Sequence, residues 1–191
     1  IFLLGQFGAT LTKQIINQYK LGTKDDKVIF WQIDIHNNIR SGKIMDYNSA
    51  TGKRGKYINW VHSKIENYNL QQCLFGEHLL NKNQKNIGLV ESEKTACIMS
   101  QCIPNYLWLA TGGATSGIEK KLKALHGRKN KVVFFPDQGK YQEWEKIKSE
   151  YLKYNCTVSK DCEIWFEKNL IDKGDDIADY YLKNYGFDNQ L

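Results

Sequence analysis

No two cysteines of this chain form a CxxC pair, and their number, five, is odd. A zinc ribbon and a disulfide framework are therefore excluded. Cys73, Cys97, Cys102, Cys156 and Cys162 are expected as buried free thiols in a reducing cytoplasm. No apolar run approaches the ~20 residues that a membrane helix needs, so no membrane partner is expected. The opening IFLLGQF has neither a basic n-region nor a small-residue cleavage pattern, which argues against a signal peptide. It also lacks an initiator Met, as expected of a piece of a longer protein. His36, His62, His78 and His126 lack ligand spacing and are expected in packing or surface roles. No Ser/His/Asp or Cys/His nucleophile arrangement, internal repeat or low-complexity tract is visible.

What the chain does contain is ordinary in bulk. An apolar fraction of 41% and a charged fraction of 25% describe a folded soluble protein of 191 residues, as one large domain or two small ones. Twenty-seven basic against 21 acidic residues leave a net charge of +6. That excess is compatible with a polyanionic partner without demanding one.

The first 80 residues read as a small α+β unit. Leu11, Ile15 and Tyr19 are spaced by four, which predicts a short helix over 10–19 with Thr10 as its cap. Residues 28–35 (VIFWQIDI) and 39–47 (IRSGKIMDY) predict two strands joined at His36-Asn37-Asn38, with a third strand over 57–61. Residues 70–80 (LQQCLFGEHLL) predict a short helix. Arg40, Lys43, Lys53, Arg54 and Lys56 cluster on the hairpin and the loop after it, where a solvated basic face is the default reading. Interleaved Tyr47, Tyr57 and Trp60 also suit a single-stranded nucleic acid, since bases stack while cations hold phosphates.

After a polar linker at 81–86 (NKNQKN) the pattern becomes βαβ. Strands are predicted at 87–91, 106–110, 131–135 and around 157–158, and helices at 93–101, 117–126, 141–154 and 175–184. Alternation of this kind means a mainly parallel sheet flanked by helices. The expected division is thus residues 1–80, basic and mostly antiparallel, and residues 81–191.

Two acids stand out in the second unit. The run Ile87 to Val90 stops at Glu91, with Ser92 placed to cap a helix and Glu93 in its first turn. The run KVVFF ends in Pro136 and Asp137. Carboxylates at the carboxyl ends of buried strands lie where open α/β sheets gather ligands, and such a pair suits a divalent cation and a phosphate. Asp175, Asp176 and Asp179 form a third acidic group, which a helix N-terminus explains as readily as a site does. Gly112 and Gly113 would let a phosphate approach the backbone, or simply make a tight turn.

In this order the segments resemble a known family. GLVESEKTA (residues 88–96) resembles the first motif of the Toprim domain, written V-E-G-E-K-D-A after hydrophobics in phage and plasmid primases. VVFFPDQG (132–139) resembles its second motif, an apolar strand ending in D-x-D. ATGGA (110–114) resembles the small-residue turn between them, and KGDDIADYYL the later segment that supplies a further acid. In the first half, IDIHNNIRSGKIM (33–45) is similar to the sheet segment of bacterial primase cores, and FGEHLL (75–80) to the helix leading into their Toprim domain. The whole resembles a primase catalytic core of the kind found in Bacteroides mobile elements, without a zinc ribbon or carboxyl-terminal helical regions.

The resemblance implies a cytoplasmic nucleotidyltransferase of DNA replication that joins nucleoside triphosphates on a single-stranded DNA template. A replicative helicase is among the partners it allows. Glu91 would be the proton-transfer acid, and Asp137 with Asp176 or Asp175 would hold Mg²⁺ or Mn²⁺. Arg40, Lys43, Lys53, Arg54, Lys94, Gly112 and Gly113 would contact phosphates. Three positions depart from the motifs: Gly139 replaces the second Asp of D-x-D, Ser92 a Gly, and Thr95 an acid. The first substitution leaves open a catalytically degenerate nucleic-acid-binding module, and the resemblance itself leaves open a metal-dependent phosphodiester hydrolase, since Toprim domains also occur in nucleases and topoisomerases.

Overall fold

The computed structural model describes residues 2–82, 84–113, 117–152 and 155–185. The chain opens with α1 (Phe2–Tyr19), kinked at Gly8, which has φ 68°. Four antiparallel strands follow in the order β1-β2-β3-β4: β1 (Gly22–Lys24), β2 (Lys27–Ile33), β3 (Ile39–Tyr47) and β4 (Arg54–Trp60). The β2–β3 turn is held by Asp34. Its carboxylate accepts the N–H groups of His36 and Asn38, both at 2.8 Å, and pairs with Arg40 Nε at 2.6 Å.

The second sheet is entirely parallel, in the order β6-β5-β7-β8. Its strands are β5 (Asn86–Val90), β6 (Tyr106–Ala110), β7 (Val132–Phe134) and β8 (Cys156–Val158). Helices α2 (Glu93–Cys102), α3 (Ile118–Leu122) and α4 (Tyr141–Tyr151) connect them, and α5 (Asp161–Glu167) and α6 (Ile177–Tyr185) follow β8. Period-two alternation divides the side chains between two cores. Ile87 and Leu89 face α3 and α4, among Leu122, Trp144 and Ile147. Val90, Trp108 and Val133 face α2 and α6, and that core continues into Ile15, Tyr19, Phe30 and Met45 of the first half. Tyr19 ties the halves directly: its ring stacks on Phe75 at 5.0 Å and its hydroxyl donates to Trp108 O at 2.9 Å.

Several expectations need correction. Residues 70–80 do not form an α-helix; they run irregularly into a 3₁₀ turn at Glu77–Lys82, because Glu77 accepts Leu74 N–H and Ile35 N–H and pins the segment to the β2–β3 turn. Thr10 is not a cap, since α1 begins at Phe2. Ser92 takes the N-cap position of α2 with extended backbone but makes no side-chain cap hydrogen bond. The helix expected over 117–126 breaks into α3 and a 3₁₀ turn at Lys123–Leu125, and α4 ends at Tyr151. Ala114 and residues 153–154 of the expected segments lie outside the described residues. Two elements, β1 and α5, have no counterpart in the expected order.

Candidate active site

In the order β6-β5-β7-β8 the connections leave β5 on one side for β6 and return on the other for β7. The crevice beyond the carboxyl ends of β5 and β7 is thus the topological switch point, where open parallel sheets bind ligands. Glu91 follows β5 directly, and Asp137 follows β7 after the buried Phe135 and Pro136. Parallel pairing, with Leu89 opposite Phe134, brings the two carboxyls together.

Asp137 hydrogen-bonds with Glu91. Burial first, then the charges of Asp176, Glu91 and Asp179, raise its carboxyl from the ordinary range to about 8. Asp179 is raised too, by burial and then by Asp176, with Lys94 acting the other way. Four carboxylates from three separate segments therefore sense one another, and negative charge predominates among them.

Asp176 does two jobs. It is the N-cap of α6, accepting Ala178 N–H at 2.8 Å and Asp179 N–H at 3.1 Å, while Asp179 reaches back to Asp176 N–H at 3.0 Å. This is a capping box built from two aspartates. Its other oxygen accepts the buried Thr95 hydroxyl, so α2 holds α6 against the crevice. Thr95, noted in the sequence only as a departure from the motif, has a part in the site that sequence reasoning did not give it. Asp175 is turned into its own loop, accepting Asp172 N–H at 2.8 Å, while its carbonyl accepts Gln138 N–H at 2.9 Å.

Gly139 has φ +85°, a left-handed backbone that disfavours an Asp there whatever the space. The loop is held instead by Glu163 of α5, whose carboxylate accepts Gly139 N–H at 2.9 Å and Tyr141 N–H at 3.4 Å. Glu163 was invisible to sequence reasoning because α5 itself was.

The basic residues divide into two groups. Lys53 and Arg54 are exposed at the start of β4. Lys94 donates to Gly52 O at 3.2 Å and lies over the Phe2 ring, and Arg40 is engaged by Asp34. Lys43 is buried: it donates to Glu93 Oε2 at 3.2 Å and to Gly112 O at 3.0 Å, bridging the two sheets. A second buried lysine, Lys121, donates to Thr111 O at 2.8 Å and feels the Glu93 charge. A readable signal existed for it, because Lys121 occupies the apolar stripe Ile118, Leu122, Leu125 of its helix. Gly112 and Gly113 form the turn after β6, with φ of 73° and 136°. A Cβ at Gly112 would stand 2.8 Å from Glu93 Oε1, so only glycine fits above this ion pair.

The donor set suits a hard divalent cation, being all carboxyl oxygen, crowded closely enough that Asp137 holds its proton when no cation is bound. Among the described residues, no group of three or more His, Cys, Asp and Glu side chains is disposed to hold a metal ion by itself. Mg²⁺ does not require one, since it keeps several waters and takes one or two protein carboxylates plus substrate phosphates.

Residues 1–138 match the family described as Domain of unknown function (DUF6371). The chain belongs to this family. The match ends one residue past Asp137, so Glu91 and Asp137 are part of the DUF6371 region and Asp176 lies beyond it. No curated protein matches the sequence. Among solved structures, this DUF6371 chain is similar to the primase fragment of the bacteriophage T7 primase-helicase protein, with 18% identity and a TM-score of 0.53 over 82% of this chain and 66% of that one. It is similar to the DnaG catalytic core, at 16% identity and TM-score 0.53 over 95% and 59%. It is also similar to the DnaG primase catalytic domain bound to ssDNA, at 16% and 0.52 over 95% and 60%. The DUF6371 chain spans less than two thirds of each. At these identities the likeness is one of fold: that of a primase catalytic core.

Proposed function

We propose that this chain is a primase-like, metal-dependent nucleotidyltransferase with a Toprim-like site, acting on single-stranded DNA in replication, in the setting of a mobile element. The observation that carries the reading is the meeting of Glu91 and Asp137 at the β5/β7 switch point, where burial, and then the charges of Asp176, Glu91 and Asp179, raise Asp137 to about 8. The similar fold of a DnaG catalytic domain that binds ssDNA supports the choice of template.

In this reading Asp137 and Asp176 hold the cation, Asp175 orders the loop beside them, and Glu91 is the proton-transfer acid. A bound Mg²⁺ or Mn²⁺ supplies charge stabilisation for phosphoryl transfer and orients the triphosphate. Glu91 can share a proton with Asp137, which suits it to accept one from an attacking 3′ hydroxyl. The Thr95 hydroxyl fixes the rotamer of Asp176. Exposed Lys53 and Arg54 track a strand's phosphates along the edge of β4.

The test is Mn²⁺ binding followed by template-dependent primer synthesis. Wild type should bind Mn²⁺ and extend primers; Asp137→Asn should lose both, and Glu91→Gln should lose synthesis while retaining metal. Synthesis unchanged in both variants would sink the mechanism. A second reading, a binding module without turnover, is favoured by Gly139, whose left-handed backbone disfavours the missing Asp. It predicts salt-sensitive single-stranded DNA binding that ignores divalent cations. The remaining alternative, phosphodiester hydrolysis at the same carboxylates, would appear in that assay as strand cleavage.

A further inference from the structure

A second concavity lies where the two sheets meet, beside the turn that follows β6. It encloses about 260 Å³, between Trp60, His62, Leu70 and Gln72 of the first half and Gly112, Gly113 and Lys121 of the second. Its two ends differ in chemistry. At one end the rings are flat and braced: His62 stacks on Tyr68 at 5.0 Å, packs against Trp60 at 5.7 Å and shares a 2.6 Å hydrogen bond with Ser41 Oγ. Such a surface stacks a planar heteroaromatic ring without the entropy cost of ordering loose side chains.

The other end is polar and net positive. Lys121 is 3% exposed yet lines the pocket, and of its three donors one is taken by Thr111 O. Lys43 reaches the same turn through Gly112 O. Two ammonium groups face the single carboxylate of Glu93, leaving one positive charge in excess. Two further buried polar atoms beside this turn, Thr111 Oγ1 and Gln32 Oε1, have no hydrogen-bond partner among the described residues. Buried polar atoms in native proteins are almost always satisfied, by protein, water or ligand. Gly113 adds access, because among the described residues nothing lies within 4 Å of where a Cβ there would stand.

A flat apolar wall opposite a positive, donor-rich end, in a space the size of one small molecule, matches a base at one side and a phosphate at the other. We infer that this pocket binds a mononucleotide, its base against Trp60 and His62 and its phosphate toward Lys121 and Gly113, without a divalent cation. The inference deepens the proposed nucleotidyl transfer, on which it rests for the ligand class, by adding a nucleotide subsite distinct from the carboxylates. The scale of the pocket suits one nucleotide rather than a run of strand.

The probes are AMP, CMP, GMP and UMP, each titrated calorimetrically into the whole chain in EDTA and again in Mn²⁺. At least one should bind in EDTA, with affinity unchanged by Mn²⁺ and weakened by inorganic phosphate. Trp60→Ala should weaken it at least tenfold. Because Lys121 is buried and its loss threatens folding, the steric variant is Leu70→Trp, at an exposed position on the rim; it should abolish binding while circular dichroism stays unchanged. Binding seen only with Mn²⁺ and insensitive to Leu70→Trp would overturn the pocket and leave the transfer reading standing. Binding in EDTA through the pocket, with no primer synthesis under any condition, would keep the pocket and remove the transfer reading. If no mononucleotide binds in EDTA but oligo(dT) does, and Leu70→Trp blocks it, the pocket serves a strand and the inference fails.

Discussion

Two charge clusters stand one strand apart at the same end of the parallel sheet, and they meet the cost of burial in opposite ways. Around Glu93, two lysines and one carboxylate interlock, with the carbonyls of Thr111 and Gly112 each taking one lysine donor. Around Asp137, carboxylates accumulate, and the cations that sense them are Lys94, acting on Asp179, and the solvent-exposed Lys140, acting on Glu91 and Asp137. The first cluster joins the antiparallel half to the parallel half, so its carboxylate is paired within the fold and a single positive charge is left over. The second is left in like-charge conflict, a state that folding alone does not favour and that a bound cation would relieve. Compensation marks a fastening, and its absence marks a site.

The largest expected effect comes from breaking the compensated cluster. Glu93→Ala strands Lys43 and Lys121 as buried unpaired charges, and should cost about 3–5 kcal/mol in urea unfolding. A loss under about 1 kcal/mol would mean the network is solvated and the contrast is false. The opposite sign is expected at the other cluster. Asp137 keeps a proton in the folded chain up to about pH 8 that the unfolded chain releases near pH 4, so its contribution is full below pH 4 and fades as pH rises to 8. Asp137→Asn removes that penalty and should stabilise the chain at pH 8 by at least about 1 kcal/mol, or about 2–4 °C in Tm, with little change at pH 4. Mn²⁺ should raise the wild-type Tm at pH 8 and leave the variant's unmoved. A smaller effect tests the link between α2 and α6: Thr95→Val removes one hydrogen bond to a carboxylate and should cost about 1–2 kcal/mol, together with a few-fold loss of Mn²⁺ affinity.

The uncompensated cluster was largely legible in the sequence, and the compensated one was not. Glu91 and Asp137 each end an apolar run, and a strand end is a local feature that periodicity finds. The parallel sheet, the hairpin at residues 36–38 and the place of α6 follow from patterns of the same kind. The pairing of Lys43 with Glu93 spans 50 residues and two sheets, and no local pattern encodes it. Glu93 therefore read as an acid serving a helix dipole, and Lys43 as a phosphate contact. The helix expected over 70–80 failed for a related reason: Glu77 reaches back to Ile35 N–H across 42 residues and overrides the local preference. Glu163 went unseen because the seven residues of α5 (DCEIWFE) are too short for a helical period to declare itself.

The smallest expected effect on stability separates the basic residues that the sequence grouped together. Arg54 is exposed at the mouth of β4, with its side chain facing solvent rather than a buried partner. Arg54→Ala should leave urea unfolding unchanged, and should lower the salt dependence of single-stranded DNA binding by about one unit of log–log slope. Lys43→Ala, drawn from the same hairpin, should do the reverse. It unfolds the chain more easily, since Glu93 loses its partner, and any loss of DNA binding follows the loss of folded protein rather than salt. If instead Lys43→Ala changes the salt slope at constant stability, Lys43 leaves Glu93 when phosphate arrives, and the two clusters are one continuous surface.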